Sequence, residues 1–102
     1  DKAALRAFLL AALGVMGRIE ALPMPVIACV NGLALAGGLE LLLCADLVVA
    51  ARSARIGDVH AQYGLLPGGG GSARLPRAIG LRRARYLLYT ADQMSAEDLE
   101  QW

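Results

Sequence analysis

The chain has 102 residues, 57% of them hydrophobic, a mean hydropathy of +0.50 and a net charge of +1. That length holds at most one small domain, and the near-neutral balance supplies no field to collect nucleic acid or an anionic membrane surface. A small interior cannot hide so much apolar sequence. Residues 1–102 are therefore expected to be part of one domain, cut at both ends, whose apolar faces are covered from outside the chain.

In chain order, Leu5, Phe8, Leu9, Ala12, Leu13, Met16 and Ile19 recur at helical spacing and predict an amphipathic helix over residues 2–20. Pro23 and Pro25 stop it. Val26–Val30 reads as a buried strand ended by the turn signal Asn31-Gly32. A loop of small residues, Ala34 to Gly38, opens into the run LELLLC, expected to be a buried helix over residues 38–43. Leu47–Ala51 predicts a second buried strand and Ala54–Gly57 a third. Strand, helix and strand within about 25 residues suggest a parallel crossover. Residues 26–50 are apolar enough to invite a membrane span. They also contain Glu40 and Asp46, and each buried acid would cost about 2.5–3.5 kcal/mol, so no span is expected. After the glycine loop Pro67–Gly71 a helix is predicted over Ser72–Ile79, stopped by Gly80. Leu81, Ala84, Leu87 and Leu88 carry another helix, and Ser95 with Asp98 marks the start of a last one near Ala96.

The residues that bear chemistry cluster in two places. Glu40 is a lone carboxylate in an apolar helix, which is costly unless it is paired, functional or on an exposed face. Ala36-Gly37-Gly38 lead into that helix, and free N–H groups at a helix start suit an oxyanion. His60, the only histidine, follows 20 positions after Glu40 and precedes the second glycine loop. Alone it reads as structural more often than catalytic. Asp58 reads as a turn or cap residue and Asp46 as structural. Pro67–Gly71 lacks the Lys-Ser/Thr of a phosphate loop and the spacing of a dinucleotide fingerprint, so it reads as a close-packed loop ahead of a helix. The five arginines between 74 and 85 read as a solvated helix face. Phosphate contacts are second and nucleic acid, with no interleaved aromatics, third. Cys29 and Cys44 lie in apolar runs without ligand spacing and read as buried free thiols in a reducing, cytoplasmic setting.

Taken together, PVIACVNGLALAGGLELLLCADLVVA, IGDVHAQYGLLPGGGGSARLPRAIG and LLYTADQMSAEDLEQW resemble the crotonase superfamily of enoyl-CoA hydratases and isomerases. The resemblance covers roughly Pro23–Trp102 and implies an α/β fold, a spiral of ββα units of which this chain holds the central part. It implies an acyl-CoA substrate, with coenzyme A as part of the substrate and neither metal nor other cofactor. It also implies a homotrimer or a dimer of trimers at full length. Gly37 matches one of the two backbone donors of the oxyanion hole. Glu40 matches the first of the two hydratase glutamates. His60 stands where the second is found, so a proton-transfer group is kept but its charge and basicity change. Ala36, Val59, Tyr63 and Gly68 match substrate-binding positions.

The first reading is thus an enoyl-CoA hydratase or isomerase. Thioester hydrolysis, decarboxylation or other enolate chemistry on an acyl-CoA is the alternative within the family. A non-catalytic relative serving as an assembly or binding subunit is the alternative outside enzymology.

Overall fold

The computed structural model describes all residues, Asp1–Trp102. Helix α1 spans Lys2–Glu20, with the Asp1 carboxylate capping the Ala4 amide. Strands β1 (Ile27–Val30) and β2 (Leu33–Leu35) follow, then α2 (Gly37–Leu42), β3 (Leu47–Ala50) and β4 (Arg55–Gly57). A 3-10 turn over His60–Tyr63 precedes α3 (Gly71–Ile79), α4 (Leu81–Thr90), β5 (Met94–Ser95) and α5 (Ala96–Glu100). Ser95 caps α5 as predicted: its Oγ accepts from the Asp98 amide at 3.1 Å and donates to Asp98 Oδ2 at 2.7 Å, in place of the return bond to the Ser95 amide that a full capping box has.

Two strands, one helix and two strands give a repeating pattern. β1 pairs in parallel with β3, Ile27 opposite Leu47, and β2 pairs in parallel with β4, Leu33 opposite Arg55. Each strand of one ββα turn therefore lies on the corresponding strand of the next, with α2 as the crossover. β5 closes the second sheet antiparallel to β4. Asp46 is structural: its Oδ2 accepts from the Val26 amide at 2.8 Å and ties the start of β3 to the start of β1.

The small core gathers Ala34, Leu39, Ile56, Leu75, Ala84 and Leu87 between α2, α3, α4 and the second sheet. Three expectations change here. Leu33–Leu35 is a strand rather than the start of a loop, because β4 supplies hydrogen bonds that a three-residue run of Leu and Ala does not announce. The strands predicted as buried are half exposed, with Ile27, Leu47 and Val49 more than half open, because no element of this chain covers their outer face. Cys29 shares that face and is exposed, whereas Cys44 is buried with its thiol donating to the Glu40 carbonyl at 3.4 Å. Burial pushes the Cys44 thiol up, which makes it an inert packing group. α1 buries no residue fully. Its half-buried stripe of Leu9, Ala12, Met16 and Ile19 faces the rest of the chain, while Leu5 and Phe8 stand open.

Candidate active site

Parallel pairing brings the two chemical clusters to one edge. Leu35 lies opposite Gly57 in the last rung of the β2–β4 ladder, about 4.8 Å away. One residue further on, the Ala36 amide donates to the Gly57 carbonyl at 3.0 Å. Gly37 and Glu40 thus leave the carboxyl end of one strand, and Asp58 and His60 leave the carboxyl end of its neighbour. Ligands of parallel α/β sheets bind at such ends.

Both exits turn sharply at a residue with a side chain. Ala36 has φ 50° and ψ −113°, and Val59 has φ 52° and ψ −1°. Positive φ is unusual outside glycine, above all for a β-branched residue, and costs about 1–3 kcal/mol that the surroundings must offset. These two strained residues directly precede Gly37 and His60, and the sequence carries no trace of their strain.

Ala36 caps α2, and the first intrahelical bond runs from the Glu40 amide to the Ala36 carbonyl at 3.0 Å. The Gly37 amide comes before that bond and has no partner within the helix. Gly37 is exposed, its φ lies outside the left-handed region, and a Cβ added there meets nothing within 4 Å. Space for a ligand is open directly above this backbone.

Glu40 is only 3% exposed. Its carboxylate accepts from the Gly69 amide at 2.9 Å to each oxygen, and Oε1 also accepts from the Gly71 amide at 3.2 Å. Hydrogen bonds to a charged group contribute about 1.5–3 kcal/mol each and answer the desolvation of this carboxylate. With about four lone-pair sites on a carboxylate, acceptor capacity remains for a water or a substrate proton. The loop predicted to be close-packed is the clasp of the carboxylate. A Cβ on Gly69 would collide with Glu40 Oε2, and one on Gly71 would press on its Cγ at 3.1 Å.

The clasp is itself braced. Arg74 Nη1 donates to the Gly69 carbonyl at 2.9 Å, and its Nε donates to Glu20 Oε1 at 2.7 Å. Leu9 and Met16 of α1 pack beside Gly68 and Gly69 of the loop. Arg74 is therefore not part of a solvated arginine face, because the loop carbonyl and the end of α1 both need its donors. The Arg74 guanidinium holds the Glu20 carboxyl below its ordinary value of 4.5. Arg83 also leaves that face: it donates to the Trp102 carbonyl at 2.8 Å and lies 5.6 Å from the centre of the Trp102 ring.

His60 begins the 3-10 turn, with its side chain 13% exposed. Its Nδ1 lies 3.1 Å from Asp58 Oδ1. The ring is not turned far enough for an aligned hydrogen bond, and Nδ1 and Asp58 Oδ2 are both buried without a partner. Asp58, 1% exposed, also accepts from the His60 amide at 3.3 Å. It is the turn residue that the sequence suggests, and in addition it contacts the imidazole. Of the remaining predicted positions, Val59 is buried, Ala36 and Gly68 are half-buried, and Tyr63 is 74% exposed at the end of the turn. Glu40 and His60 share no hydrogen bond.

Known proteins carry the same segment. The profile of the enoyl-CoA hydratase/isomerase family matches residues 8–102. The crotonyl-CoA hydratase of Syntrophomonas wolfei is 50% identical over 80 residues, 78% of this chain and 31% of that protein. Human mitochondrial methylglutaconyl-CoA hydratase is 48% identical over 84 residues, 82% of this chain and 25% of that protein. The chain thus spans about three-tenths or less of the length of these relatives. The crystal structure of an enoyl-CoA hydratase from Bacillus anthracis superimposes with a TM-score of 0.95 at 40% identity, covering 99% of this chain and 39% of that one. The enoyl-CoA hydratase from Thermoplasma volcanium gives 0.94 at 33% identity, covering 99% of this chain and 41% of that one. With the ββα spiral, the two strand exits and the clasped carboxylate in place, the chain belongs to the enoyl-CoA hydratase/isomerase family of the crotonase superfamily.

Proposed function

We propose that the protein carrying this segment is an enoyl-CoA hydratase or isomerase acting on acyl-CoA thioesters. The observation that carries this reading is the buried Glu40 carboxylate, clasped by backbone amides and set one helical turn after the open Gly37 amide. In the proposed reaction the thioester oxygen is bound by the Gly37 N–H and a second donor outside this chain. Charge that develops on that oxygen is stabilised by donors already in place. Glu40 holds water or moves the proton, and His60 is its partner across the strand edge. Ala36, Val59, Tyr63 and Gly68 border the acyl-CoA. Coenzyme A is part of the substrate, and this chemistry calls on no metal or redox group.

The exposed apolar faces of α1, β1 and β3 support coverage by the rest of a longer chain or by other copies, as in a homotrimer or a dimer of trimers. No helix is long and apolar enough to cross a membrane. Some relatives are named as mitochondrial, so family membership does not fix the cytoplasmic location expected from the cysteines.

A second reading, thioester hydrolysis or other enolate chemistry, is favoured by the imidazole at position 60, where the resemblance implies a glutamate. The full-length protein assayed with crotonyl-CoA and longer enoyl-CoAs separates the two. Consumption of the conjugated double bond indicates hydration, and release of free thiol indicates hydrolysis. Glu40→Gln is expected to lower kcat by roughly 10²–10⁴-fold with KM little changed. A kcat within a few-fold of the parent removes Glu40 from the reaction. Acyl-CoA binding without turnover on any of these substrates identifies a non-catalytic relative.

A further inference from the structure

Asp58 is a buried carboxylate that the proposed reaction leaves unused. It is 1% exposed, and its only aligned donor is the His60 amide at 3.3 Å. Its second oxygen has no partner, and neither does His60 Nδ1, 3.1 Å from the first. The partnerless Nδ1 thus stands at hydrogen-bonding distance from a buried carboxylate oxygen, Oδ1, that can accept its proton. If Nδ1 carried a lone pair, two acceptors would face one another in a dry site, where such an arrangement is costly. If Nδ1 carries the proton, a small turn of the ring completes a charge-assisted hydrogen bond. The left-handed turn at Val59 folds the chain so that residues 58 and 60 meet. A plain turn residue would need only the backbone bond and would sit as well in solvent.

We propose that Asp58 is the positioning residue for His60: its buried carboxylate keeps the proton on Nδ1 and orients the ring, leaving the Nε2 lone pair as the atom that accepts a proton. This deepens the reading in which His60 takes part in proton transfer and rests on it. Which ring nitrogen is protonated is set by the partner of the other, and the catalytic value of an imidazole depends on that choice. The pairing also gives a physical reason why an imidazole works at a position that the resemblance assigns to a carboxylate. Imidazole and Asp58 together retain a negative group behind the proton-accepting atom.

The experiment is 15N spectroscopy of the full-length protein labelled in the histidine rings, with the His60 signals assigned by their loss in His60→Gln. The expected result is the Nδ1–H tautomer whenever the ring is neutral, against the Nε2–H tautomer that free histidine prefers. Asp58→Asn, which keeps the shape, is expected to weaken that preference. It should also lower kcat on crotonyl-CoA by roughly ten-fold or more with KM within about two-fold, a part of the 10²–10⁴ that a positioned base contributes. An Nε2–H tautomer in the parent overturns the proposal without any variant having to fold. So does Asp58→Asn with parental kcat and an unmoved tautomer. An Nδ1–H tautomer together with parental kcat in His60→Gln supports the pairing and refutes the catalytic role of His60.

Discussion

The two sides of the strand edge hold their functional groups by opposite means. On one side Glu40 is gripped by the amides of Gly69 and Gly71, and the loop that supplies them is pinned by Arg74 and backed by α1. On the other, His60 leans on one buried side chain, Asp58, through a contact that is not fully aligned. A backbone clasp leaves little to adjust, because the amides are fixed once the loop is packed. A side-chain partner can be exchanged. The glycine loop therefore fits a carboxylate at position 40, whereas the group at position 60 depends on a single side chain, Asp58.

Gly37 belongs to neither brace, so its substitution tests the proposed oxyanion donor apart from both, with the largest of the three effects expected at Gly37, Gly69 and Glu20. A side chain there meets nothing in the folded chain and needs no left-handed backbone. Gly37→Val is therefore expected to keep the parental melting temperature while losing one oxyanion donor, about 2.7–4 kcal/mol of barrier or 10²–10³ in kcat. Parental kcat in the folded variant would exclude this amide as the oxyanion donor. Gly69→Ala strikes the clasp instead. The methyl group collides with the Glu40 carboxylate, so either the loop or the acid must move. A displacement of about 1 Å at a reacting group costs on the order of 10²-fold. The variant should lose that much kcat while the His60 ring spectrum stays as in the parent. A moved His60 signal would show that the two sides are not independent.

Much of this is legible in the sequence. Periodicity marks α1, the prolines mark its end, and the apolar run LELLLC marks a buried helix while leaving the setting of Glu40 open. The glycine loop fits no phosphate motif and reads as close-packed, and it packs against Glu40. Other features depend on partners distant in sequence. The strand Leu33–Leu35 exists because β4 lies beside it. The departure of Arg74 from the arginine face depends on Glu20, 54 positions earlier. The strain at Ala36 and Val59 is imposed by the strand exits, and neither residue type advertises a positive φ. Composition predicts that apolar faces are covered from outside the chain, but not that these are the faces of β1 and β3, since apolar runs look the same whether their cover lies inside the chain or outside it.

The smallest effect tests how the clasp is anchored. The Glu20 carboxyl is held below 4.5, chiefly by its hydrogen bonds from Arg74. A lowered folded-state value means that the pair stabilises the fold fully above about pH 4.5 and that this contribution fades as pH falls through the lower, folded value. Glu20 is exposed, so solvent and salt screen the pair and the contribution is modest. Melting curves of the parent and Glu20→Gln between neutral pH and pH 3 are expected to show a small, constant gap above pH 5 that closes toward pH 3. Added salt should narrow the gap at every pH. A gap that persists unchanged at pH 3 would mean that Glu20 acts through packing at the end of α1. The Arg74 grip on the Gly69 carbonyl would then hold the clasp without help from the Glu20 charge, and the Glu40 side would be braced by backbone and guanidinium alone.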